Sequence, residues 1–341
     1  MIRNNSLRPG VFSSYTVTSA LGAVVSVQYA AVCALALGGE AGKVYRFTSY
    51  ADAAAIFTDS ALLRAVKLLL ESGVSQVICV PVGTNGGNPD DNAYEAAFAA
   101  IEGLDNIGAV LCDSVSATVQ AKLLQSITRS CSALKERIGL VNADNAEHAV
   151  QLAQALNSER ICLCYPGGFS GACAFAGELL TGTVGDNLSG SICKGIVLDE
   201  DNLTEDTVQT LLAAGVVVFE TVGNAVECIK AVTTRTKTDG TADYSFANVA
   251  TVRIIDHILQ RARTVMKVLL KNARGNPATM QSIVAQMTVL LSAAVDEGIV
   301  SSFATPRAAL LAGDPSVCVV VLSFTAATAI NQIHIVAHIS I

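Results

Sequence analysis

The sequence has no tryptophan, and only 5% of its 341 residues are aromatic. Single-stranded nucleic acid is held by stacking bases on such rings, so a stacking platform is excluded. Charge is scarce too, at 15% of residues against roughly 25% in an ordinary soluble domain. What charge there is leans acidic, with 22 Lys and Arg against 29 Asp and Glu and no basic tail. Phosphate binding needs concentrated cations, so nucleic acid is not an expected partner. The ten cysteines contain no CxxC pair and sit mostly in apolar runs such as Val77 to Val82. They read as small buried hydrophobes in a reducing compartment, with cytoplasmic synthesis and no export.

In contrast, 51% of the residues are hydrophobic, ample for a real core. Two long stretches hold no formally charged side chain, Pro9 to Gly39 and Pro315 to Ile341. Arg3 and Arg8 ahead of the apolar Ala20 to Leu37 have the outline of a signal peptide or a membrane span. Gly22, Ser26, Gln28 and many β-branched residues interrupt that outline. One or two buried strands, and no membrane insertion, are the expectation.

From residue 50 onward, helical and strand patterns alternate. The spacing predicts helices at Ser60 to Ser72, Asn92 to Glu102, Ser116 to Lys135, Asn145 to Leu156 and Thr204 to Ala214. Between them, continuous apolar runs predict strands at Val77 to Val82, Ile107 to Cys112, Ile138 to Val141, Arg160 to Tyr165 and Val216 to Glu220. That order implies an α/β sheet covered by helices, over 21–240.

A polar, turn-rich stretch at Lys237 to Asp243 separates it from a second region, 241–328. There Asn248 to Lys271 reads as one long helix with Val252, Ile255, Leu259, Ala262, Met266 and Leu269 on its apolar stripe. Asn276 and Pro277 supply an N-cap and a first-turn proline for a second helix, which ends at Gly298. Cys318 to Phe324 is expected to be a buried strand. In the last segment, 329–341, the apolar Ile333, Ile335, Ala337, Ile339 and Ile341 alternate with His334, His338 and Ser340. This is a half-buried strand, free to pair in its own sheet or with a neighbouring subunit. The N-terminal 1–20, with Val11, Tyr15 and Val17, has the same character.

Catalytic patterns are near misses. Gly38 to Val44 spaces its glycines as GxxxGK, with Val44 where a phosphate loop needs Ser or Thr, so a plain turn is expected. The Gly167 to Gly171 and Gly83 to Gly87 clusters read as loops. Cys162 and Cys164 share one strand face without the further ligands a zinc site requires. His334 and His338 lack the Glu of an HExxH motif, and no GxSxG elbow accompanies His148 or His257. No catalytic residue, cofactor or metal is expected. One charged feature stands out: Arg263, Lys267, Lys271 and Arg274 fall on one face of the long helix. It is either a solvated face or a docking surface for an acidic partner.

Taken in order, these segments resemble the contractile tail sheath proteins of bacteriophages and phage-tail-like injection particles. Arg8-Pro-Gly-Val is similar to that family's opening, and Leu62 to Val82 and Tyr94 to Asp113 resemble its α/β units. The strongest likeness runs from Asn248 to Arg253 through Asn276-Pro277 and Glu297-Gly298 to Asn331–Ile341. Family members carry a Trp/Arg segment before the C-terminal domain, whereas Lys230 to Thr238 has Arg235 and no Trp.

The resemblance implies a structural protein, not an enzyme: an α/β domain with a mixed sheet, plus a C-terminal sheath domain with two long helices. That domain's sheet would be completed by terminal arms of neighbouring subunits, through Val11, Tyr15, Val17, Ile333, Ile335, Ile339 and Ile341. Subunits would stack as hexameric rings around an inner tube, which Arg263, Lys267, Lys271 and Arg274 would face. Baseplate and terminator proteins would be further partners, with assembly in the bacterial cytoplasm and a place in a virion tail or released particle. The competing class, a nucleotide- or metabolite-binding α/β enzyme, calls for a pocket at the strand ends.

Overall fold

The computed structural model describes residues 28–84, 87, 89–198, 203–270 and 273–327. The sequence signals for helix starts operate as side-chain caps. Ser60 accepts from the Leu63 N–H, Asp90 from Ala93, Asn145 from His148 and Thr204 from Thr207, at 2.8 to 3.3 Å. Each satisfies a backbone donor that the first helical turn leaves open, an effect of about 1 kcal/mol.

The elements so started alternate along the chain. They run β1 (Tyr29–Leu35), β2 (Tyr45–Phe47), α1 (Tyr50–Ala54), α2 (Ala61–Glu71), β3 (Val77–Gly83), α3 (Asp91–Glu102), β4 (Ile107–Cys112) and α4 (Ala117–Ser132). There follow β5 (Ile138–Asn142), α5 (Ala146–Leu156), β6 (Ile161–Tyr165), α6 (Gly168–Thr181), α7 (Glu205–Ala213), β7 (Val216–Val222) and β8 (Ala225–Lys230).

The strands form one eight-stranded sheet in the order β2-β3-β1-β4-β5-β6-β7-β8. Its six inner strands are parallel, and the two edge strands run antiparallel to their neighbours. Both faces are buried, which is why these strands read as continuous apolar runs. On one face Val32, Cys79, Leu111, Cys162 and Cys164 meet α2 and α6. On the other, Ile78, Val80, Val110, Leu163 and Val218 meet α3, α4, α5 and α7.

One expectation fails here. Gly167 to Gly171, read as a loop, opens α6, whose middle from Gly171 to Gly177 is buried all round. Gly167 has φ of 104° and turns the chain directly from β6 into the helix. At Gly177 a Cβ would lie 2.4 Å from the Ser72 Cβ, so glycine lets α6 press close to the end of α2.

Past β8, Asp239 and Gly240, both at positive φ, turn a short hairpin of β9 (Lys237–Thr238) and β10 (Thr241–Ala242). Arg235 beside it stacks 5.4 Å over the Phe246 ring and pairs with Glu159 at 2.8 Å. Then come α8 (Val249–Leu270), α9 (Pro277–Asp296), β11 (Val300–Leu311) and β12 (Asp314–Ala326).

Asn276 caps α9 through the Thr279 N–H at 2.9 Å, with Pro277 as its first residue. This is the one helix among the described residues long and apolar enough to cross a membrane by length and composition. Its buried positions Ile283, Met287, Leu290, Leu291 and Ala294 fall on one stripe against α8. On α8 the expected stripe holds in part, since Val252 and Ala262 are buried and Met266 packs on the same core. Ile254, Ile258 and Ala262 bury against α9, while Leu259 is exposed and Ile255 half-buried. The physical reason is that α8 is covered on two sides, with Val249 entering the core of the large sheet.

Candidate strand-accepting interface

β11 and β12 pair antiparallel around a turn at 312–313 and, among the described residues, form a sheet of two strands only. Their ladder slips between Ala304 and Arg307, where Pro306 lacks the N–H a regular ladder needs. The inward residues Phe303, Val320, Leu322 and Phe324 lie on the α8–α9 pair. Cys318, also inward, meets the Met280 sulfur at 3.6 Å.

The outward row is apolar as well. Val317, Val319 and Val321 are 41%, 44% and 51% exposed, opposite Ala309 and Arg307 in the register. The expected buried strand at Cys318 to Phe324 is therefore half-buried, because helices cover one face of this sheet and not two. A two-stranded ribbon is marginally stable on its own, and its strands of 12 and 13 residues have two long edges without a further strand among the described residues. The alternating segment Ile333, Ile335, Ile339, Ile341 follows β12 in the chain. It lies outside the described residues, as do Val11, Tyr15 and Val17.

The basic face of α8 divides. Arg263 is a correction to the expected free surface: it pairs with Glu136 at 2.6 Å, and that carboxylate also accepts from Gln260 at 3.2 Å. Burial works against the Glu136 charge, but these two donors hold its carboxyl below the usual range. Arg253 and Arg261 are also used internally. Arg253 donates to the Gly182 carbonyl at the end of α6, and Arg261 to Glu297 at the end of α9, both places where a cation is favoured. Lys267 and Arg274 are exposed, and Lys271 lies outside the described residues.

The places an α/β enzyme would use lie at the strand ends of the large sheet. Beyond β4, beside the end of β1, the order of strands reverses, the usual crevice for a ligand. There Asp113 accepts from the Leu35 N–H at 2.9 Å and the Tyr94 hydroxyl at 2.7 Å, one on each oxygen. Burial raises both Asp113 and Tyr94 above their usual ranges, and the pair ties α3 to two strand ends as a strut. A cleft of about 760 Å³ over the ends of β5 and β6 is lined by Asn142, Asp144, Glu147 and Tyr165, among others. His148 beside it is held by Asp144 at 2.5 Å. Gly38 to Val44 is a plain turn ahead of β2, as expected. No group of three or more His, Cys, Asp or Glu suited to a metal occurs among the described residues. Burial pushes the Cys162 and Cys193 thiols up to about 12, so they stay protonated and inert at neutral pH.

Eight-stranded layer, paired long helices and open ribbon together define a fold already known. It is the fold of contractile tail sheath proteins. The sheath tail protein from Listeria innocua superposes with a TM-score of 0.72 at 12% identity, over 89% of this chain and 92% of that one. The one from Desulfitobacterium hafniense gives 0.69 at 13%, over 88% and 93%. A chain of the contracted helical sheath of the anti-feeding prophage gives 0.71 at 12%, over 99% of both chains. No family model and no curated protein matches the sequence.

Proposed function

We propose that this chain is a structural subunit of a contractile tail sheath. It polymerises as stacked hexameric rings around an inner tube, on a baseplate and under a terminator, and contracts to drive the tube through a cell envelope. Assembly takes place in the bacterial cytoplasm, and the product is a virion tail or a released injection particle. N- and C-terminal arms of neighbouring subunits add strands to β11 and β12 through Val11, Tyr15, Val17, Ile333, Ile335, Ile339 and Ile341. Lys267, Lys271 and Arg274 meet an acidic tube surface in the extended state, with Arg263 contributing only what Glu136 leaves exposed.

The observation that carries this reading is a ribbon with open edges among the described residues, followed in the sequence by a segment whose residues alternate apolar and polar. Each added backbone hydrogen bond contributes about 0.5 to 1.5 kcal/mol net, so several per arm hold subunits while other contacts exchange. Interfaces, not the covered layer, then hold the two states. Deleting 331–341 tests it: folded subunits that no longer form long hollow cylinders by negative-stain microscopy are expected. Normal cylinders from the truncated chain would sink the reading. For the tube contact, reversing Lys267, Lys271 and Arg274 to Glu should abolish co-assembly with the tube at low salt, where exposed charges act furthest. Unchanged co-assembly refutes that part.

A further inference from the structure

Between α8 and the large sheet layer runs a seam rich in buried and half-buried charge. Toward α9, α8 buries Ile254, Ile258 and Ala262, with one ion pair, Arg261–Glu297, at the end of α9. Toward the sheet layer it presents charge. Asp256, which is buried, receives a two-pronged Arg160 at 2.5 and 2.9 Å, and Arg263, about two turns further along, reaches Glu136 at 2.6 Å. Arg253 donates to Gly182 at 3.1 Å. Between them lies a small, partly open cavity of about 30 Å³, lined by Glu136, Arg137, Arg253, Asp256 and His257 among others, with room for a water.

We infer that this seam is a charge-registered lock, which fixes the angle at which α8, α9 and the ribbon stand away from the large sheet. A chain with so few charges spends several of them here, where apolar packing of the same volume is as stable or more so. Apolar surfaces slide over one another at little cost, whereas a bidentate guanidinium accepts a carboxylate in one geometry. The pairs sit at spaced positions of one helix, 253, 256 and 263, so together they set both its rotation and its translation. The start of α8 is held separately by Val249 in the sheet core and by the Thr233 N–H on the Ala247 carbonyl at 2.8 Å. That leaves the seam to set direction and not attachment. The inference stands whether or not the ribbon accepts a strand.

The test is a distance distribution by pulsed electron spin resonance on full-length chains. Labels sit at Gln125→Cys and Val289→Cys, both exposed sites, on a Cys131→Ser, Cys318→Ser background and diluted into unlabelled chains. One variant pairs Glu136→Gln with Arg263→Gln; a second pairs Arg160→Met with Asp256→Leu. Both should melt cooperatively, yet in either one the distribution should widen to about twice that of the parent, because register is lost and attachment kept. If one pair fails to fold, the other decides. A width unchanged in the folded variants overturns the inference, as does a parent already that broad.

Discussion

The two sheets of this molecule treat their edges in opposite ways. On the eight-stranded sheet one edge is β2, three residues long, with the exposed Arg46 at its centre. The other is β8, whose outer backbone groups are occupied. Gly190 and Cys193 donate to the Cys228 and Val226 carbonyls, and the Cys228 N–H donates to Ser191. Short, charged or covered edges are how soluble proteins prevent strand addition. The ribbon keeps two long edges open among the described residues and turns a row of valines outward. Under the proposed function, intermolecular strand addition belongs at this second sheet, whose edges are open among the described residues. Of the two charge-free stretches, Pro315 to Ile341 runs through β12, while Pro9 to Gly39 runs through β1 of the large sheet.

Substitutions can break or sharpen that contrast. The largest effect on stability is expected from Phe219→Ala, since this ring is 1% exposed between the large sheet and α6. A loss of about 3 to 5 kcal/mol in chemical denaturation should unfold the covered layer. Leu290→Ala, in the core under the ribbon, should cost about 2 to 5 kcal/mol and raise amide exchange in β11 and β12 before β4 or β5. Removal of the α9 cap by Asn276→Ala should cost about 1 kcal/mol. Val319→Lys, on the outward row, should change stability by no more than about 0.5 kcal/mol and yet suppress polymerisation. A matching Lys at Arg46 on β2 should affect neither. Polymerisation lost equally from both edges would erase the distinction between them.

The parallel layer was legible because its signals are local. Ser60, Asn145 and Thr204 mark helix starts, whereas Asp90 caps a helix expected from Asn92 and Ser116 makes no side-chain cap; strands buried on both faces have no polar residues to confuse the reading. Ile107 to Cys112 is a strand in both sequence and structure. α6 was not legible because a helix buried all round has no amphipathic period, and its glycines serve close packing while looking like a loop. β11 was missed for the reverse reason: with Ser301, Ser302, Thr305 and Pro306 it lacks an apolar run, and only pairing with β12 makes it a strand. The Asp239–Gly240 hairpin carried a readable signal that was taken only as a turn-rich boundary. As for the basic face, spacing placed Arg263 beside Lys267, but its partner Glu136 is 127 residues away in sequence, and nothing local announces it.

Amide hydrogen exchange, compared between unassembled and assembled chains, tests the open ribbon most directly. If neighbouring arms add strands there, the outward-edge amides of β11 and β12 should slow by orders of magnitude on assembly, while those of β2 and β8 keep their rates. Ribbon amides that exchange equally fast in both states would contradict the account.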